Sequence, residues 1–309
     1  MRFHISHLVI LVSTLLGACA VLPTHAAFPE GGRDKVMSTE VVLPIRQSEI
    51  YVFVPVTQNP NAGLIGALVA AAVDDIRTGK AESAAQPLRA ALTDFDFDAV
   101  LRDDIRTTLA TAPWLGTDKV RVMREVTQQS YEQALAGSKA GAVLLVPVDY
   151  NLSNDGDVLT VAMWPSLFAN NDGLAALAPK SKDSRALRTA PANALYRNNL
   201  IFRTRIAPAP SGRDGNIAIW SADNGALLRA DLRMAAAKLS QMLADDLRRP
   251  DTGPVADTAG TPIKIEFVAE GPLTAGGTEG RVLSSDADGT VVRFPGGVLE
   301  YVTPPMIKP

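Results

Sequence analysis

The pattern of apolar and polar positions changes character several times along the chain. Leu8–Leu16 (LVILVSTLL) is a nine-residue run without charge, with Arg2 ahead of it and small residues behind. It is too short to span a bilayer, which takes ~20 residues, and it lacks the one-sided stripe of a surface helix. That order predicts an export signal. Past Ala27 the pattern becomes that of a folded body. Glu49–Val56 (EIYVFVPV) predicts a buried strand rich in β-branched and aromatic residues. Gly63–Thr78 (GLIGALVAAAVDDIRT) predicts a helix with small residues for close packing, and Ala81–Leu92 predicts another. Asp98–Thr111 places Val100, Leu101, Ile105 and Leu109 on one helical face, with Asp96 or Asp98 as cap and Pro113 as stop.

Lys119–Val122 predicts a short strand, followed by a helix through Ser130–Leu135. Ala142–Val148 (AVLLVPV) is the most apolar strand and is expected at the centre of a sheet, with Pro147 near an end or bulge. Tyr150–Ser153 and Val158–Trp164 flank Asn154-Asp155-Gly156, a hairpin signal. Leu195–Ile206 alternates, with Tyr196, Leu200, Phe202 and Ile206 on one side and Arg197, Asn199, Arg203 and Arg205 on the other. A closing helix is expected over Ala222–Leu247, where Leu227, Leu228, Leu232, Ala235, Leu239, Met242 and Leu243 recur at helical spacing. The stretch 250–262 (PDTGPVADTAGTP) has the composition of a linker. Ile263–Val268, Glu279–Ser284 and Thr290–Phe294 then predict short strands, the last two joined at Asp288-Gly289. The domain reading is an export signal over 1–26 (or 1–18), an α/β domain over 40–249, a linker, and a small β segment over 263–303. The fold class expected is α/β in the α+β sense: a mixed sheet with helices packed on it, plus a small C-terminal all-β appendage.

Two processing sites are open. Leu16-Gly17-Ala18-Cys19 resembles the lipobox of bacterial lipoproteins, in which the Cys becomes the lipid-bearing first residue. Thr24-His25-Ala26 before Ala27 resembles an ordinary signal-peptidase site. Cys19, the single cysteine, is therefore either the lipid attachment point or discarded. The three histidines are His4, His7 and His25, so a chain cut after Ala26 holds neither His nor Cys. Such a body excludes His-based triads, thiol nucleophiles and zinc sites with His or Cys ligands. Removal of Arg2 with the leader leaves 29 basic against 33 acidic residues, a net charge of −4. A mildly acidic body speaks against general nucleic-acid binding.

Motifs for chemistry are few. Asp94, Asp96 and Asp98 sit at every second position, as calcium-loop ligands do, but Ala99 and Ile105 stand where Gly and Glu are needed. They read instead as a helix cap and solvated acids, with Phe95 and Phe97 turned inward. Asp286-Ala287-Asp288-Gly289 fails the same test at Gly297. Gly79-Lys80 lacks the rest of a phosphate loop, and neither a G-x-S-x-G elbow nor an S-x-x-K pair occurs. No cofactor or metal is expected. Trp114, Trp164 and Trp220 are scattered and read as core or rim anchors. The candidate binding surface is the Arg face of the 195–206 strand (Arg197, Arg203, Arg205) with Lys180, Lys182, Arg185 and Arg188 upstream.

The order strand, helices, strand, helix, central strand, hairpin, closing helix, behind a lipobox-like leader, resembles a group of bacterial envelope lipoproteins. That group includes the curli-secretion and penicillin-binding-protein-activator lipoproteins. The stretches EIYVFVPVTQNPNAGLIGALVAAAV, AVLLVPVDYNLSNDGDVLTVAMW and the final LADDLRR carry the resemblance. It implies a small α/β domain tethered to the outer membrane that recruits or assembles other envelope proteins without chemistry of its own. It transfers no site residues, and the C-terminal β segment departs from the group's pattern. The function expected is thus a periplasm-facing, lipid-anchored binding accessory, or a soluble periplasmic or secreted one if the later cut is used. The alternatives are a periplasmic hydrolase using paired carboxylates, and a module that binds anionic lipid or cell wall through the Arg strand.

Overall fold

A computed structural model describes residues 25–53, 79, 83–179, 188–249, 260–265 and 279–306. Residues 1–24 with Cys19, the helix expected over Gly63–Thr78, the loop basics Lys180, Lys182 and Arg185, and most of the 250–262 linker lie outside the described residues.

Strand alternation builds the sheet. In chain order the strands are β1 (Thr39–Pro44), β2 (Tyr51–Val52), β3 (Thr117–Met123), β4 (Ala142–Leu145), β5 (Val148–Leu152), β6 (Val158–Met163) and β7 (Ser166–Ala169). They continue with β8 (Tyr196–Arg197), β9 (Leu200–Arg205), β10 (Pro262–Lys264), β11 (Glu279–Ser285), β12 (Thr290–Arg293) and β13 (Leu299–Val302). The helices are residues 83–91 (α1), α2 (Phe97–Leu109), α3 (Gln128–Gly137), the one-turn α4 (Asp172–Ala175) and α5 (Arg213–Arg248). The architecture is α/β, with mixed sheets and helices packed on them.

Two hydrogen-bonded groups of strands run β3-β1-β4-β7-β8 and β10-β11-β12-β13-β9-β6-β5-β2. Three strands pass from one group into the other, and the ladders keep their register as they do. Leu145 faces Ser166 and Val148 faces Met163, so the β4–β5 and β6–β7 ribbon is continuous across Val146-Pro147. Ser166 faces Arg197 and Met163 faces Leu200, which carries the next ladder across Pro165. Trp164 N–H still donates to Pro147 C=O (3.0 Å), and Asn198 N–H to Pro165 C=O (3.1 Å). A proline donates nothing to a ladder but still accepts, so Pro147 and Pro165 bend the ribbon without unzipping it. The expectation that Pro147 marks an end or bulge is met as a bend inside one long strand.

Alternate residues then divide between faces. Val41, Leu43, Leu144, Val161, Phe202 and Tyr301 share the main core with Leu101, Ile105 and Leu109 of α2 and Leu228, Leu232, Leu239 and Leu243 of α5. Val42, Val143 and Leu145 pack on the opposite face with Ala134 and Leu135 of α3. Most of the helical stripes read from the sequence are buried, each large aliphatic contributing about 1.5–3 kcal/mol; Leu227 is the exception, exposed on α5, and Val100 is half-buried.

The chain's own pattern misses several elements. Only Tyr51–Val52 of the strand expected over 49–56 is strand among the described residues, while the unforeseen β1 lies between β3 and the β4 expected at the centre. The C-terminal strands form as expected, and they join the main sheet. β13 runs parallel to β9 (Tyr301 opposite Phe202, Leu299 opposite Leu200) and extends the same sheet. Val292, Phe294, Val298, Val302 and Met306 close over Val158, Ala162 and Ile201 as one apolar cluster.

The closing helix also differs. α5 begins at Arg213, and residues Ala222–Gly225 interrupt it with φ of 51, 56 and 69° at Asp223, Asn224 and Gly225. Gly225 takes the left-handed backbone next to Ala91, where an added Cβ would lie 3.0 Å from the Ala91 Cβ. Further along α5, burial pushes the Asp231 carboxyl up to about 6. A carboxyl raised in the fold resists charging there, so its penalty is absent below its ordinary value of 3.8 and complete above about pH 6. Asp231→Asn is therefore expected to raise unfolding free energy by about 2–3 kcal/mol at pH 7 and to change nothing at pH 3.5. Urea unfolding at both pH values measures this; equal stability of the two proteins at pH 7 refutes it.

Candidate functional site

The segment between β1 and β2 separates two clefts. The first, about 310 Å³, lies between Ser48–Ile50, the α1–α2 connection, Arg124 and Tyr150. Its positions follow from local chemistry. Asp96 caps α2, its Oδ1 accepting from Ala99 N–H at 2.9 Å, as the sequence suggested. That cap turns Phe97 inward, edge-on to Tyr150 with ring centroids 4.8 Å apart, and places Asp98 in the first turn. Asp98 is not a solvated acid: it is buried and salt-linked to Arg124. Burial pushes its carboxyl up, and Asp96 adds to this while Arg124 opposes it. Burial, with Asp98 adding, holds the Tyr150 hydroxyl far above its ordinary range. Glu49 pairs with Arg89 at 2.9 Å. Gln47 fastens the wall, donating to Tyr150 C=O (2.7 Å) and accepting from Tyr150 N–H (3.1 Å).

The second cleft, about 380 Å³, is lined by Arg46, Tyr51, Val126, Pro147, Asp149 and Trp164 among others. Tyr51 donates its hydroxyl to Asp149 Oδ2 at 2.9 Å. Burial raises the Asp149 carboxyl, the Tyr51 hydrogen bond opposing it. Each cleft carries one raised carboxyl beside a tyrosine, Tyr150 buried in the first and Tyr51 half-buried in the second. Asp94, third of the alternating acids, is exposed and pairs with Arg229. Phe95 is half-buried beneath Arg229 and Arg233, whose guanidinium carbons lie 5.9 and 5.0 Å from its ring centre.

The Arg strand is not a surface. Arg203 is only 4% exposed, and its Nη1 donates to Oε1 of the fully buried Glu300 at 3.0 Å. Burial pushes the Glu300 carboxyl up, and Arg203 pulls it back. Arg205 pairs with Asp157 at 3.2 Å with little exposure of either side chain. Arg197 donates to Pro191 C=O at 2.6 Å. Arg203 and Arg205 lie opposite the main core, as their alternation requires, on the side of β9 where the apolar cluster packs, while Arg197 sits on β8 and is half-exposed. Arg188 is apart from them, donating to Asn170 Oδ1 at 3.1 Å. A sequence with period-two charges marks a face as different from the core, and says nothing about what covers it.

Another group escaped sequence reading altogether. Asp246, near the end of α5, is buried and accepts from Tyr196 Oη (2.9 Å) and Asn198 Nδ2 (2.7 Å). His25 Nε2, Arg293 and Arg249 approach it at 3.6, 3.8 and 3.9 Å. This carboxylate joins the N-terminal segment, the β8–β9 junction, α5 and β12. Residues 25, 198, 246 and 293 are too far apart in sequence for any motif to signal them. Among the described residues no group of three or more His, Cys, Asp or Glu is arranged to hold a metal ion, and no helix is long and apolar enough to cross a membrane.

No family model matches the chain, and no curated protein does. Among solved structures it is similar to PelC from Paraburkholderia phytofirmans, crystallised as a dodecamer, at 13% identity and a TM-score of 0.26. That match covers 72% of this chain and 94% of the PelC chain. A variant of the same dodecamer in another crystal form matches at 12% identity and a TM-score of 0.26, covering 72% and 95%.

Proposed function

We propose that this chain is an exported, lipid-anchored envelope protein that acts by binding, recruiting or holding other envelope proteins, with Cys19 as the point of lipid attachment. The leader pattern Leu8–Leu16 and the LGAC sequence support the address. The resemblance of the element order to envelope assembly lipoproteins supports the role. The observation that carries the choice of binding over carboxylate hydrolysis is the state of the acids around the first cleft. Glu49 is paired with Arg89, Asp98 with Arg124, and Asp96 caps α2. A general acid or base needs a carboxyl ready to exchange its proton with a substrate. With two of these acids closed on arginines and the third on a helix N-terminus, the rim of the cleft is suited to recognition.

Purification of the tagged full-length protein from detergent-solubilised envelopes tests this. Recovery of one or a few envelope proteins in fixed proportion is the expected result, and recovery of nothing above an untagged control overturns it. In the same strain, Cys19→Ala is expected to move most of the protein from the membrane fraction to the soluble envelope fraction. Unchanged fractionation removes the anchor from the reading.

A further inference from the structure

We propose that the mature chain keeps His25 and Ala26 as working parts of the fold, so that processing cuts ahead of Cys19 and not after Ala26. The inference rests on the export reading above and selects between the two cuts that the sequence leaves open. Its basis is what the two residues do. Ala26 pairs with Arg197 in both directions: Ala26 N–H donates to Arg197 C=O at 2.9 Å, and Arg197 N–H donates to Ala26 C=O at 3.0 Å. β8, which holds Arg197, is the last strand of its group, with β7 on one side only. Ala26 thus closes a strand edge that would otherwise present unpaired backbone to water or to another chain.

His25 is placed as closely. It packs over the turn at Gly297, where φ is +90° and an added Cβ would lie 2.3 Å from the His25 Cβ. The glycine supplies a backbone that other residues rarely adopt and the space the imidazole fills. From there His25 Nε2 reaches to 3.6 Å from Asp246 Oδ2, whose side chain is 2% exposed. Burial alone would raise that carboxyl; His25, with Asn198 and Tyr196, holds it below its usual range. Removal of the first 26 residues would open the β8 edge, empty the space over Gly297 and strip Asp246 of one partner. Phe28, buried against Trp114 with ring centroids 5.1 Å apart, survives either cut and does not discriminate between them. Cys19 precedes His25 by six residues, at most about 20 Å of extended chain.

The test is the N-terminus of full-length protein expressed in a Gram-negative host and recovered from the total envelope. Mass spectrometry of the N-terminal peptide is expected to show a chain beginning at Cys19. A chain beginning at Ala27 overturns the inference while leaving export standing. A chain still beginning at Met1 in the cytosol overturns the export reading and the inference with it. Hydrogen exchange on the same preparation gives a readout independent of processing. The amides of Ala26 and Arg197 are expected to exchange at least about tenfold more slowly than random coil. Coil-like rates at both amides overturn the inference whatever the terminus.

Discussion

Glu300→Gln is expected to lower the unfolding free energy by about 3–5 kcal/mol, because it neutralises the buried carboxylate that Arg203 Nη1 bonds at 3.0 Å. Glu300 is fully buried and Arg203 is 4% exposed. Neither can turn to water: Arg203 lies in β9 with β6 on one side and β13 on the other, and the Val292–Phe294–Met306 cluster closes the face. Arg203→Met leaves an unpaired buried acid and is expected to cost a similar amount at pH 7, since the remaining carboxyl must charge without a partner or hold its proton. The double variant Arg203→Met, Glu300→Leu removes both charges and is expected to recover most of the loss, as apolar replacements of buried pairs commonly do. Denaturant unfolding of the three variants measures this. A loss under about 1 kcal/mol for Glu300→Gln would mean that the pair is solvated and the face open. The same pair governs how the Arg strand can be probed. In a protein carrying Ser at 197, 203 and 205, loss of lipid or wall binding reads first as loss of the C-terminal strands from the sheet.

Trp220→Ala is expected to cost about 3–5 kcal/mol, the range for emptying a buried aromatic site. Trp220 is fully buried, and its indole N–H donates to Gly156 C=O at 2.8 Å. It is the last of three side chains on one stripe of α5 that take up the 154–156 hairpin. Arg213 donates to Asn154 C=O (2.5 Å) and Asn154 Oδ1 (2.6 Å), and Asn216 to Asp155 C=O (2.9 Å). Gly156, at φ 71°, packs close to Ile217, whose Cδ1 would lie 3.3 Å from an added Cβ. Trp220→Phe keeps most of the volume and loses the hydrogen bond, for an expected loss of about 1–3 kcal/mol through an unsatisfied Gly156 carbonyl. Thermal or denaturant unfolding distinguishes the two. Equal losses for Ala and Phe would place the whole effect in the hydrogen bond and none in packing.

These two sites show where sequence reading works and where it stops. The Asn154-Asp155-Gly156 turn was legible because only a few residues tolerate its backbone. The first half of α5 was not. Gly215, Asn216, Ile217 and Ile219 are poor or middling helix formers, and the helix is held by its bonds to a hairpin some sixty residues earlier in the chain. Asp96 was legible as a cap because capping is local. The burial of Asp98 two residues later was not, because it depends on Arg124 arriving from the end of β3. β1 escaped notice because its apolar run, Val41–Leu43, is only three residues long between Glu40 and Pro44, although all three are fully buried.

The faces of the closing helix and of the 195–206 strand were written in the chain, since side-chain periods of 3.6 and 2 assign each position a side. So were the hairpin turns, the α2 cap and the place of Pro147. Neighbours across the sheet were not. Alternation states which residues share a face and leaves open which strand lies beside them. Only assembly brings β13 against β9, carries the ladders through the proline bends, and sets Glu300 beside Arg203 across 97 residues of sequence. Arg197, Arg203 and Arg205 look like a surface when nothing in the chain names their partners. In the fold, carboxylates from distant segments meet Arg203 and Arg205, because a buried charge persists only where one does, and a carbonyl six residues away takes Arg197.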